Sequence, residues 1–146
     1  MKIQLKNDIE RSKNSNTLST TFYVEHDGYV FPDRLWTDFT YPVLQDWGDT
    51  LLKHMNQPIT SFELMFMDGP YALYCTKQNQ KLEIECARFD THDTEYTFSC
   101  ETTEMLQAVC CALTNLINII QNDKQYSDAQ ICEELSNLQA RLSQCI

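Results

Sequence analysis

Between residues 61 and 101 four strand-like runs follow one another with almost nothing between them. They are SFELMFM (61–67), YALYCTK (71–77), KLEIECARF (81–89) and EYTFSCE (95–101). The connections are DGP, QNQ and DTHDT. Links this short cannot carry a parallel crossover, so successive runs must return antiparallel, as a meander. Side chains alternate across a strand. Leu82, Ile84 and Cys86 therefore share one face, and Glu83, Glu85 and Ala87 the other. Tyr96, Phe98 and Cys100 likewise stand opposite Glu95, Thr97 and Ser99. One apolar face and one partly acidic face predict a sheet covered by helices on one side only.

The rest of the chain supplies two more strands and three helices. KIQLK (2–6) alternates, and LSTTFYVE (18–25) is β-branched and aromatic, so both read as strands. The polar stretch 7–17 reads as a loop, and HDG (26–28) as a turn. Trp36, Phe39, Val43, Leu44, Trp47, Leu51 and Met55 step by three, four and one, a helical stripe. Thr37 or Asp38 is placed to cap it, Pro42 falls in its first turns, and Pro58 follows its end. Gly48, inside that helix, suggests close packing at a cost of about 1 kcal/mol in propensity. A second stripe runs from Met105 to Ile120 after Thr102 or Thr103 as cap. A third, Ile131, Leu135, Leu138 and Leu142, follows Ser127 or Asp128. The expectation is one α+β domain over residues 1–146. Its antiparallel sheet has about six strands in the order ββ-α-ββββ-αα, with helices packed on one face.

Charge and cysteine usage narrow the chemistry. Eleven basic against 21 acidic residues leave a net charge of −10. Phosphates and anionic membranes reward the opposite sign, so neither nucleic acid nor a membrane surface is an expected partner. A basic protein partner is favoured. No apolar run approaches the ~18 residues of a membrane span, and the polar start MKIQLKNDIERSK lacks a signal peptide's apolar region. A cytoplasmic location is expected. Seven cysteines show no C-x-x-C and no zinc spacing, and read as reduced, buried residues in a reducing compartment. His26, His54 and His92 lie far apart, and no Gly-rich phosphate loop or nucleophile elbow occurs. The expectation is a protein that is not an enzyme and holds no cofactor or metal. The one drawable metal or acid–base site is His92 between Asp90 and Asp93, in a segment that reads first as a solvated hairpin loop.

Two stretches carry a family likeness. FPDRLWTDFTYPVLQDW (31–47) resembles a pattern of Phe-Pro, an acidic residue, Trp, Asp-Phe, apolar residues, then Leu and Trp. FMDGPYALYC (66–75) resembles a strand followed by Met-Asp-Gly-Pro-Tyr. Together, over roughly residues 28–88, they resemble small bacterial immunity proteins of polymorphic-toxin and contact-dependent growth inhibition loci. The resemblance implies a cytosolic protein that binds and neutralises a cognate toxin domain. A basic toxin, such as a nuclease, would match the acidic charge.

The partner-binding candidates come from charge and placement. Glu83, Glu85 and Glu95 belong to the helix-free sheet face, with Asp90 and Asp93 in a loop at its edge. Asp33, Asp38, Asp46 and Asp49 form a second acidic region around the first helix, and as charged residues all are expected in solvent. The alternative function is a non-catalytic scaffold or regulatory module, able to dimerise through the free sheet face or the last helix.

Overall fold

The computed structural model describes residues 1–11 and 17–146. The meander forms as the sequence demands. β6 (Ile59–Met65), β7 (Tyr71–Gln78), β8 (Lys81–Arg88) and β9 (Thr94–Glu101) pair antiparallel in chain order. Asn79 takes the positive φ that the tight β7–β8 turn requires. Phe62, Leu64, Leu73, Cys75, Leu82, Ile84, Phe98 and Cys100 are buried on its inner face. A bulge between Cys86 and Ala87 disturbs the β8–β9 ladder.

The expected single sheet is instead two. A second sheet is built on β3 (Leu18–His26). β1 (Lys2–Leu5) and then β2 (Glu10–Arg11) run along one edge of β3. β4 (Tyr29–Phe31) and β5 (Thr37–Asp38) run along the other. Asp27 and Gly28 both have positive φ, which makes the β3–β4 link a mirror-type two-residue turn. The stretch 7–17 is therefore more than a loop, since Glu10–Arg11 pairs with β3; residues 12–16 lie outside the described residues. The three short strands have too few residues to show a pattern of their own. They are strands only because β3 offers both edges.

Three helices complete the molecule: α1 (Thr40–His54), α2 (Thr102–Asn122) and α3 (Ala129–Ser143). α1 begins after the residues expected to cap it. Phe39 occupies the N-cap without a side-chain bond, and Pro42 sits third in the helix, where its missing N–H would have been unpaired anyway. Trp36 and Phe39 precede the helix rather than belong to its stripe. Glu101, not Thr102 or Thr103, caps α2 in a capping box with Glu104. Asp128 caps α3 by accepting from the Gln130 and Ile131 amides at 3.0 and 3.1 Å. α2 also departs from the expectation that no segment could span a bilayer. By length and composition alone its 21 residues pass that test, at a mean hydropathy of 1.3. Eleven of them are buried inside this fold, which accounts for the apolar content.

One hydrophobic cluster runs from Ile3 on β1 to Leu142 on α3. Trp47 is its centre, with edge-to-face partners Phe22 (5.4 Å) and Phe66 (5.3 Å), and its indole N–H donates to the Met65 carbonyl at 2.7 Å. Gly48 does what its position suggested: a Cβ there would lie 2.6 Å from Cδ2 of Leu138, so α1 and α3 meet at a bare backbone. Cys75, Cys86, Cys100, Cys110 and Cys132 are buried, whereas Cys111 and Cys145 are exposed and so are not core residues. Burial pushes the Cys86 thiol up to about 12 and that of Cys100 to about 11. Those thiols stay protonated and behave as small hydrophobes.

Candidate interaction surface

The outer face of the meander carries no helix. Its rows follow from the strand register. One row is Glu63–Tyr74–Glu85–Thr97, and the next is Ser61–Thr76–Glu83–Ser99. Apart from Tyr74, half-buried at the centre, all of these side chains are exposed. Ser99 donates to Glu83 at 2.6 Å, which fixes that carboxylate's direction. Burial and then the charge of Glu63 push the Tyr74 phenol above its usual range. A depression of about 280 Å³ between β6, β7 and β8 is bounded by Ser61, Glu63, Tyr74, Thr76 and Glu85. Lys77 points inward, its Nζ on the Gln57 carbonyl at 2.5 Å beyond the end of α1. Lys81 is exposed on the outer face itself, opposite Gln78 in the row beyond Glu83, next to the β7–β8 turn.

Towards the other end the same face turns apolar. Met65, Ala72 and Ala87 form the next row. Beyond it the Phe89 amide donates to the Pro70 carbonyl at 2.9 Å, which extends the ladder past β8. Met67 and Phe89 are 45% and 37% exposed there. Beneath this end the stretches 31–47 and 66–75 meet. Asp38 accepts from the Trp36 indole at 2.9 Å, from the Phe39 amide at 2.7 Å and from the Met67 amide at 3.2 Å. Trp36 stands edge-on to Tyr71 at 5.1 Å, and a Cβ on Gly69 would run into the Trp36 ring. So "DF" and "MDGPY" are two halves of one structural joint.

The candidate residues fall into distinct groups. Glu83 and Glu85 lie on the uncovered face as expected. Glu95, next to the bulge, accepts instead from the Tyr29 hydroxyl at 3.4 Å, which ties it to β4. Asp90 accepts from Nε and Nη2 of Arg88 at 3.1 and 2.9 Å, which lowers its pKa. Asp93 is exposed in the same turn, where its carbonyl accepts from the Arg88 amide at 3.0 Å. Asp33 is exposed and accepts from the Leu35 amide at 2.7 Å. Asp46 and Asp49 are exposed on α1. Asp38 corrects the expectation of a solvated carboxylate. It is 1% exposed, and its three donors are the reason a charged residue tolerates that place. Burial raises its pKa, and the indole and backbone donors oppose that shift. Asp38 is thus part of the frame, not of a contact surface.

Sequence reasoning misses Glu63 and Tyr74, although the alternation that exposes Glu83 exposes Glu63 as well. Among the described residues no three His, Cys, Asp or Glu side chains converge as metal ligands. His92 sits at positive φ in the β8–β9 turn, where Asp90 is engaged by Arg88. A concavity of about 450 Å³ lies away from the sheet face, between β1 and α2. Comparison of the chain with protein-family models, with curated proteins and with solved structures finds no match.

Proposed function

We propose that this chain is an immunity-type protein that binds and neutralises a cognate bacterial toxin domain. It acts in the cytoplasm, without turnover, by covering a basic site such as a nuclease cleft. The observation that carries the reading is the uncovered sheet face, where Glu63, Glu83 and Glu85 surround Tyr74 and Lys81 stands a row beyond Glu83 at the turn. Carboxylates in fixed rows present a negative field to a site built for phosphates, which speeds encounter and excludes the substrate. The resemblance of residues 31–47 and 66–75 to immunity proteins supports the same reading.

Growth protection tests it. Where the neighbouring gene encodes a large secreted protein, its basic C-terminal domain is expressed in cells with and without this chain. Survival only with the chain, lost when Glu63, Glu83 and Glu85 become Lys, is the expected result. Equal killing in both strains, or a locus with no such neighbour, overturns it.

A further inference from the structure

The uncovered face has two chemically different ends, and they are rigidly joined. The acidic rows occupy its middle. At one end Met67, Pro70 and Phe89 follow the row Met65–Ala72–Ala87, whose two alanines are 0% and 3% exposed, so this end presents exposed apolar groups next to a closed row of small residues. This end is not a loose loop tip. Trp36 packs under Gly69, Asp38 holds the Met67 amide, and the Arg88–Asp90 pair ties the adjacent turn. Exposed apolar groups held rigid in this way are preorganised for contact, since little order is left to lose on binding. A second copy of this chain is a poor occupant, because it would set carboxylate rows against carboxylate rows.

We infer that the face is a two-part docking surface for a basic protein, with the Glu63–Tyr74–Glu85 row taking a Lys/Arg cluster and the Met67–Pro70–Phe89 end taking one apolar anchor side chain. The inference rests on the reading of this face as the site for a basic partner, and adds where the affinity resides. Pro70, immediately before β7, is four residues from Tyr74. At about 3.3 Å per residue, the anchor and the basic cluster lie about 13 Å apart on the partner. The charged row governs the association rate and its salt dependence, and the anchor governs dissociation.

Short random peptides displayed on phage, selected against the immobilised full chain at low salt, provide the test. The expected binders combine a Lys/Arg cluster with one large apolar residue at that spacing. Their affinity falls about tenfold in Phe89→Ser or Met67→Ser. It becomes nearly salt-independent in a Glu63→Gln, Glu85→Gln variant. All four positions are solvent-accessible, and unchanged circular dichroism confirms that each variant folds. Basic binders with no apolar preference, indifferent to Phe89→Ser, overturn the two-part surface and leave the acidic site standing. Binders that are not basic, or that ignore the Glu changes, overturn both readings. A dimer in sedimentation that Phe89→Ser dissolves would assign this end to a second copy and overturn the inference.

Discussion

Asp38 decides how two distant stretches of chain become one joint. Its carboxylate takes donors from Trp36, Phe39 and Met67 in a site closed to water. Removing it leaves all three donors unpaired, and a buried unpaired donor costs about 1–3 kcal/mol. Asp38→Ala should therefore destabilise the fold by about 3 kcal/mol or more in urea denaturation. Asp38→Asn, which keeps one acceptor oxygen and the volume, should lose less. Equal loss from both would show that charge, not acceptor geometry, holds the joint. His54 gives a second residue-scale outcome. It stacks on Phe62 at 5.1 Å and bonds Thr60 at 2.8 Å. Burial, then the charge of Lys53, lower its pKa below 6.5. The unfolded chain therefore binds the proton first as pH falls, and stability declines from about pH 6.5 down to the folded midpoint. An NMR titration should place that midpoint below 6.5, and a midpoint above it would contradict the assignment.

At the scale of elements, the helix pair α1–α3 depends on Gly48. Leu138 occupies the space a Cβ would need, with Cδ2, Cδ1 and Cγ at 2.6, 2.9 and 2.9 Å. Because Cγ is among them, rotating the end of the side chain does not relieve the clash. Gly48→Ala gains about 1 kcal/mol in helix propensity, but overpacking costs about 1–3 kcal/mol. A net loss of about 1 kcal/mol is expected, and it should shrink sharply when Leu138 is also made Ala, as a double-mutant cycle would report. Tyr41 braces the same pair by donating to Glu134, and burial with that carboxylate pushes its phenol to about 12. The meander is legible in the amino-acid sequence because its signals are local: period-two alternation and connections too short for any other pairing. The exposure of Glu83 and Glu85 follows from that alternation, and Glu63 obeys the same rule. β4 and β5 are illegible because two or three residues carry no period, and their pairing is decided by β3. Asp38 defies expectation because residue type alone assigns a carboxylate to water. Its burial rests on donors from Trp36, two residues away, and Met67, distant in sequence.

The whole molecule divides its labour between two sheets. The β3-centred sheet and the three helices enclose the inner face of the meander in one apolar cluster. That leaves the outer face free while the β6–β7 hairpin is fixed from below. The net charge of −10 gives no direction by itself, but the grouping of Glu63, Glu83 and Glu85 around Tyr74 does. The central claim, that the face is where a basic partner sits, is tested most directly by affinity capture. Tagged protein from its source cells at low salt is compared with a Glu63→Lys, Glu83→Lys, Glu85→Lys variant, and bound proteins are identified by mass spectrometry. The account predicts a stoichiometric basic protein, inhibited while bound, that the variant fails to retain. Equal capture by both proteins, or a stoichiometric partner that is acidic, would contradict it.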